Sequence, residues 1–312
     1  MKRVAFFTNQ ICGRGTTDIV LNYAKYNQTL LNNQSIIITM TDRALVGKAS
    51  HNQTVFANTK KQFEVIELDI TSDLQKLSDM FDVFYACKSG EVDDVMMYGP
   101  KTLIHAVFPY TCAHGDEYFH ISEYCAKLAK LNKWLEPIID DSMFHTDHWR
   151  SRYNLDSGDV VFGRTGGYDA FDIPFVKASI TKLVNQHPNM HFWFVNTERF
   201  YDHPNIKHFD FLSKHDLVSF MNTCDAMIHA RKDGECFGIS IAEFSMCNKP
   251  IITYNKPHWS AHLTYLKQYH GYNDECDLEN ILTSFVPDPS GDYNFYKQFS
   301  PQNIMSKFQT LL

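Results

Sequence analysis

The chain has 312 residues, of which 44% are hydrophobic and 21% charged, with a formal net charge of -7. That length suits two domains of roughly 150 residues each, with enough apolar material for two cores. The composition excludes wholesale disorder, and the acidic balance excludes general binding to nucleic acid or anionic membranes.

The first half alternates strand-like and helix-like segments. Residues 2–8 form a compact apolar run that predicts a buried strand, and two glycines, Gly13 and Gly15, break it. Two basic residues precede this run, but it is too short for the apolar region of a signal peptide. Residues 16–31 carry Ile19, Tyr23, Tyr26 and Leu30 at helical spacing. Strands are predicted at 35–40, 63–68, 83–87, 102–107 and 118–121, with a short helix at 73–80. Ser122 is read as the cap of a helix to about residue 133, and 135–139 as the strand that closes the half.

The second half repeats the pattern. A strand at 159–162 ends at Gly163 and Arg164. Asp172 is read as the cap of a helix that has Pro174 in its first turn and reaches residue 186. Strands follow at 190–195 and 206–209, and a helix from Ser213 to 222. Then come a strand at 226–229, a helix at 238–246 and a strand at 250–254. Asp277 is read as the cap of a further helix, and a last helix spans 301–312.

Strands alternating with helices imply parallel sheets covered on both faces. The expected architecture is α/β, with two Rossmann-like doubly wound domains facing across a cleft. Residues 1–155 form the first domain and 156–298 the second. Residues 299–312 form a helix expected to pack back on the first. No run approaches the roughly 18 apolar residues of a membrane span. The eight cysteines form no C-x-x-C pair and read as reduced small hydrophobes. Three N-x-S/T sequons, at Asn27, Asn33 and Asn52, read as chance. A cytoplasmic location is expected.

In doubly wound sheets, ligands bind beyond the carboxyl ends of the strands, so the loops there carry the chemistry. The loop 9–17, NQICGRGTT, opens the first helix. It fails as a dinucleotide fingerprint because Asp18 stands at the third glycine position, and Asp42 lies too far along for the ribose acid. A tight turn and a substrate loop both remain open readings. The segment 235–243, ECFGISIAE, sits between a strand and a helix. Glu235 should lie in the loop and Glu243 about 6–8 Å along the helix. Phe237, Gly238 and Ile239 should offer free backbone N–H groups to an anion. Two carboxylates flanking such a site suit a diphosphate joined to two sugars. Arg164, directly after its strand, could grip phosphate oxygens or serve a structural ion pair.

Together these residues resemble glycosyltransferase family 4, retaining enzymes of the GT-B fold. The match runs from the loop at Gly13 and Gly15 through Gly163-Arg164, 205–211 and CDAMIHARKDGECFGISIAEF to Lys249-Pro250-Ile251-Ile252. The resemblance implies a nucleotide-diphosphate sugar as donor, bound through Glu235, Glu243 and Arg164, with no further cofactor. It implies transfer to a hydroxyl of a glycan, lipid or small-molecule acceptor. It also puts a histidine beside the donor sugar, for which His105 is the match. The family's phosphate-binding lysine is missing from 165–171; Asp169 and Asp172 stand there, and Arg231 is the substitute cation. Loops of the first domain are expected to be short for the family. His114, Asp116 and His120 are expected at the acceptor side. Two rival readings are a sugar-nucleotide epimerase of the same plan and an inactive sugar-nucleotide-binding module. No metal is expected: His258 and His262 lack the glutamate of a zincin, His145 and His148 are no better, and no D-x-D ends a strand.

Overall fold

A computed structural model describes residues 1–45 and 50–312. The chain divides into two compact units, Met1–Asp140 with Phe299–Leu312, and Asp141–Gln298.

The first unit contains β1 (Arg3–Phe7), α1 (Gly15–Thr29), β2 (Gln34–Met40), α2 (Gln53–Gln62), β3 (Glu64–Leu68), β4 (Val83–Lys88), β5 (Lys101–Ala106), β6 (Glu117–His120) and α3 (Glu123–Leu128). Its strands form one parallel sheet in the order β3-β2-β1-β4-β5-β6. Strand order reverses between β1 and β4. Ala5, Phe7, Ile36, Ile38, Phe84 and Ile104 build the core on one face. On the other face, Phe6 lies 5.3 Å from Tyr85, which stacks on Tyr23 of α1 at 5.5 Å. Phe308, from the terminal helix (Pro301–Gln309), packs on Tyr23 at 5.0 Å and Tyr85 at 5.8 Å. That aromatic contact explains why the end of the chain belongs to the first unit.

The second unit contains β7 (Val160–Arg164), α4 (Pro174–Gln186), β8 (Met190–Val195), β9 (Ile206–Phe209), α5 (Lys214–Thr223), β10 (Ala226–His229), β11 (Gly234–Glu235), α6 (Ile239–Met246), β12 (Ile251–Tyr254), β13 (Trp259–Ser260), α7 (Ala261–Tyr265), β14 (His270–Tyr272) and α8 (Glu275–Ser284). Its parallel sheet runs β14-β12-β10-β7-β8-β9, the topology of the first sheet over again, with the reversal between β7 and β10. Phe162, Ile180, Phe192, Phe194, Ile228 and Ile252 fill its core. Gly163 is small for a reason: a Cβ there would stand 2.2 Å from the Cys224 sulfur and 3.2 Å from the Phe244 ring.

Several local expectations are corrected. The sequence boundary at 155 moves to 140, because Trp149 N–H donates to Thr223 Oγ1 at 2.7 Å and Arg150 pairs with Asp225 at 3.2 Å. These bonds fasten 141–155 to the second unit. The Ser122-capped helix stops at Leu128, since Lys130 turns to a φ of 57°. Residues 135–139 run extended but outside the sheet; Tyr23 donates to Glu136 O and Ile139 N–H to Phe299 O. Asp172 does not cap α4 but accepts Lys232 N–H at 2.7 Å, and Asp274, not Asp277, caps α8. Residues 73–80 belong to a 3-10 helix, Thr71–Met80. No helix among the described residues is long and apolar enough to cross a membrane. No disulfide joins the described cysteines.

Candidate active site

The reversal of strand order in the second unit opens a crevice beyond the carboxyl ends of β7 and β10, the place where open α/β sheets take ligands. Arg164 ends β7 and His229 ends β10. The loop after β10 then carries Arg231 and Glu235 back to this edge. Glu235 accepts from Arg231 Nη1 through both oxygens, each at 3.2 Å, and from His229 Nε2 at 3.4 Å. Donation by Nε2–H leaves His229 Nδ1 to accept from Thr253 Oγ1 at 2.9 Å. Thr253, which pairs with His229 across β10 and β12, also lies 3.4 Å from His262 Nε2. A buried relay, His262–Thr253–His229, therefore terminates on Glu235. Burial alone would raise the Glu235 carboxyl. The His229 hydrogen bond and the Arg231 charge overcome that and hold it at about 2.

Past Glu235, Gly238 adopts a φ of 90° and opens α6, which has no side-chain cap. Ala242 N–H is the group that bonds the Gly238 carbonyl, so the preceding amides at Ile239 and Ser240 point out of the helix start, as anion-binding amides do. The Phe237 ring is buried against Tyr265 and Tyr296, and its carbonyl accepts from Tyr296. Glu243 is buried on α6 and lies 3.5 Å from Lys214 Nζ at the start of α5.

Arg164 is 3% exposed. It donates to Gly167 O at 2.7 Å, Asn196 O at 3.2 Å and Thr197 Oγ1. Burial pulls its guanidinium down to about 10, against the opposing field of Glu235. These bonds commit it to bracing the loops after β7 and β8. Arg231 is likewise occupied, by Glu235.

The first-unit residues fare differently. His105 is fully buried: Nε2–H donates to Leu135 O and Nδ1 accepts from Tyr85 Oη, both at 2.7 Å. Its ring lies among Tyr23, Tyr85 and Phe119, and burial pushes it down to about 3. This corrects its assignment to the sugar site: both nitrogens belong to the core. Asp116 is also corrected. Asp116 exchanges bonds with Thr102, near the start of β5, through its N–H to O at 3.0 Å and its carboxylate to N–H at 2.7 Å. Asp116 therefore lies at the amino edge of the sheet, away from the ligand-binding edge, while the His114 ring packs on Tyr118 at 5.3 Å. His120 does end β6, buried, with Nε2 donating to Tyr110 O at 3.1 Å. Gly13 is exposed and Gly15 begins α1, in a loop braced by Thr17 at the reversal point of the first sheet. Asp42 accepts His51 N–H at 3.0 Å. His258 packs on Trp259 while His262 turns inward to the relay, so their spacing is not a metal pair.

Residues 202–263, which include both Glu235 and Glu243, match the family model described as glycosyl transferases group 1. No protein of the curated set matches the chain by sequence. The fold is similar to that of Anabaena HepE, solved in complex with UDP-glucose, at a TM-score of 0.73 and 11% identity over 99% of this chain and 100% of that one. TarM gives a TM-score of 0.70 at 8% identity over 100% and 98%. A glycosyltransferase from Rickettsia africae gives 0.66 at 13% over 99% and 95%. The chain thus has the GT-B fold, two doubly wound α/β units in succession.

Proposed function

We propose that this chain is a glycosyltransferase that moves a sugar from a nucleotide-diphosphate donor to an acceptor hydroxyl, with the donor bound on the second unit. The observation that carries the reading is the ionised Glu235 beside the uncapped start of α6. A carboxylate held at about 2 accepts hydrogen bonds from sugar hydroxyls at every physiological pH. The free amides after Gly238 receive the diphosphate, whose negative charge grows as it leaves. Glu243 and Lys214 lie further along the same edge and take the ribose hydroxyls. Arg231, held in place by Glu235, stands in for the cation that the 165–171 loop lacks, and Arg164 holds the crevice wall. The family match to 202–263 supports the class, and the UDP-glucose complex of the HepE relative makes a uridine-diphosphate hexose the first donor to test. Transfer proceeds with retention and requires no further cofactor, with attack on the face from which the diphosphate departs.

Glu235→Gln tests this. The neutral amide loses the charge-assisted bonds, so turnover with the best donor of a uridine-diphosphate hexose panel falls at least about a hundredfold while circular dichroism stays unchanged. Turnover near that of the parent would overturn the assignment.

A further inference from the structure

Away from the crevice, three ligand-bearing side chains meet from segments far apart in sequence. His145 and Asp147 lie in the stretch that enters the second unit, and His215 lies in the first turn of α5. Asp147 Oδ2 is 3.7 Å from His145 Nδ1 and 3.6 Å from His215 Nε2. The two imidazoles stack with centroids 4.2 Å apart. Among the described residues this is the one group of three such side chains whose ligand atoms all lie within 4.8 Å of one another.

The surroundings already orient the ligands. His145 Nε2–H donates to His215 O at 3.2 Å, which leaves its Nδ1 lone pair facing Asp147. A metal-binding histidine characteristically donates its other N–H to a backbone carbonyl in this way. Asn222 Nδ2 donates to the carbonyls of both His145 and Asp147, fastening the segment along α5.

We propose that His145, Asp147 and His215 form a binding site for a divalent transition-metal ion of the zinc type. Two imidazoles and one carboxylate suit zinc and disfavour magnesium or calcium, which take oxygen ligands. Ligand atoms around tetrahedral zinc stand roughly 3.3–3.5 Å apart, so the two gaps to Asp147 need to close by only a few tenths of an ångström, and rotation of the exposed His215 ring sets the third, which lies within 4.8 Å. The Asp147 N–H that donates to His145 Nδ1 at 3.1 Å is displaced in the process. His215 and Asp147 have side chains 67% and 71% exposed, so ring rotation is unhindered and water completes the coordination. The ion ties residues 145–147 to the turn that carries Lys214 and so fixes the cation that faces Glu243. Its role is structural, and the site stands whether or not the chain transfers sugars.

The test is titration of the chelator-stripped full chain with zinc alone, at pH 7.5 in a non-coordinating reductant, by competition with a chromophoric chelator. One equivalent binds, and His145→Ala, Asp147→Ala and His215→Ala each raise Kd at least tenfold. His148→Ala, the neighbouring exposed histidine, leaves Kd unchanged. Cobalt substitution gives the visible absorption of a four-coordinate nitrogen–oxygen site in the parent only. Absence of saturable binding overturns the proposal. So does binding that survives all three substitutions, which would assign the ion to exposed thiols such as Cys112 and Cys276. If His145→Ala fails to fold, Asp147→Ala, on an exposed side chain, decides.

Discussion

Arg164 and Glu235, at the same edge of the second sheet and within each other's field, have opposite duties. Glu235 stays ionised down to about pH 2, which rules it out as a proton donor and suits it to positioning. Arg164 is bonded to the chain itself. Its removal strands Gly167 O and Asn196 O and takes one of the two bonds of Thr197 Oγ1, all in nearly dry surroundings. Bonds to a charged group contribute about 1.5–3 kcal/mol each, so Arg164→Ala should lower the stability of the second unit by about 3 kcal/mol or more. Urea unfolding followed by tryptophan fluorescence measures this. An arginine that served only a ligand would leave the midpoint where it was.

At the scale of elements, β7, α5 and α6 meet closely at Gly163, behind the site. Gly163→Ala forces a Cβ against the Cys224 sulfur and should cost about 1–3 kcal/mol. The same substitution paired with Cys224→Gly should recover part of that loss, because the obstructing side chain is gone; equal stability of parent and Gly163→Ala would refute the close contact. Unlike the short β11, β13 and β14, which carry no such run, the central strands were legible because they are apolar runs buried on both faces. The helix α2 was not, since Thr59 is the one residue it buries, although its cap, Asn52, accepts from two amides. Glu235, Gly238 and Glu243 were legible because strand, loop and helix follow one another within a few residues. The relay of His229, Thr253 and His262 was not, because it depends on β10 and β12 pairing side by side. His229 could have been found as the last residue of a strand at the ligand edge. Asp116 was misplaced because the β5–β6 connection carries the chain back to the amino edge before it appears. His105 was misread because alternation along β5 aims it at the aromatic layer.

For the molecule as a whole, buried histidines set the response to acid. His105 in the first unit and His262 in the second are both pushed down to about 3 by burial. His120, His191, His208 and His270 shift in the same direction. An unfolded chain protonates these rings near pH 6.5, whereas the folded chain holds His105 and His262 neutral to about 3. The unfolded state therefore binds more protons in that window. Stability is at its plateau above pH 6.5 and falls with acid by about 1.4 kcal/mol per pH unit for each such histidine. Glu235 adds to the loss from about pH 4.5 down to about 2. Urea midpoints measured from pH 7.5 to 5 should drop steadily, and His105→Leu should flatten the slope of the first unit's transition. A flat parent profile would mean that the rings take up protons without unfolding. The split of the first unit along the chain, with Phe308 arriving after the whole of Asp141–Gln298, bears on how the protein is made. At about 5–20 residues per second, translation of that insert leaves Tyr23 and Tyr85 without their cover for on the order of 10–30 s. The second unit, continuous in sequence, has every residue it needs before the first does. Maturation on the ribosome thus runs against the usual amino-to-carboxyl order, and the waiting aromatic face is the surface a chaperone would meet.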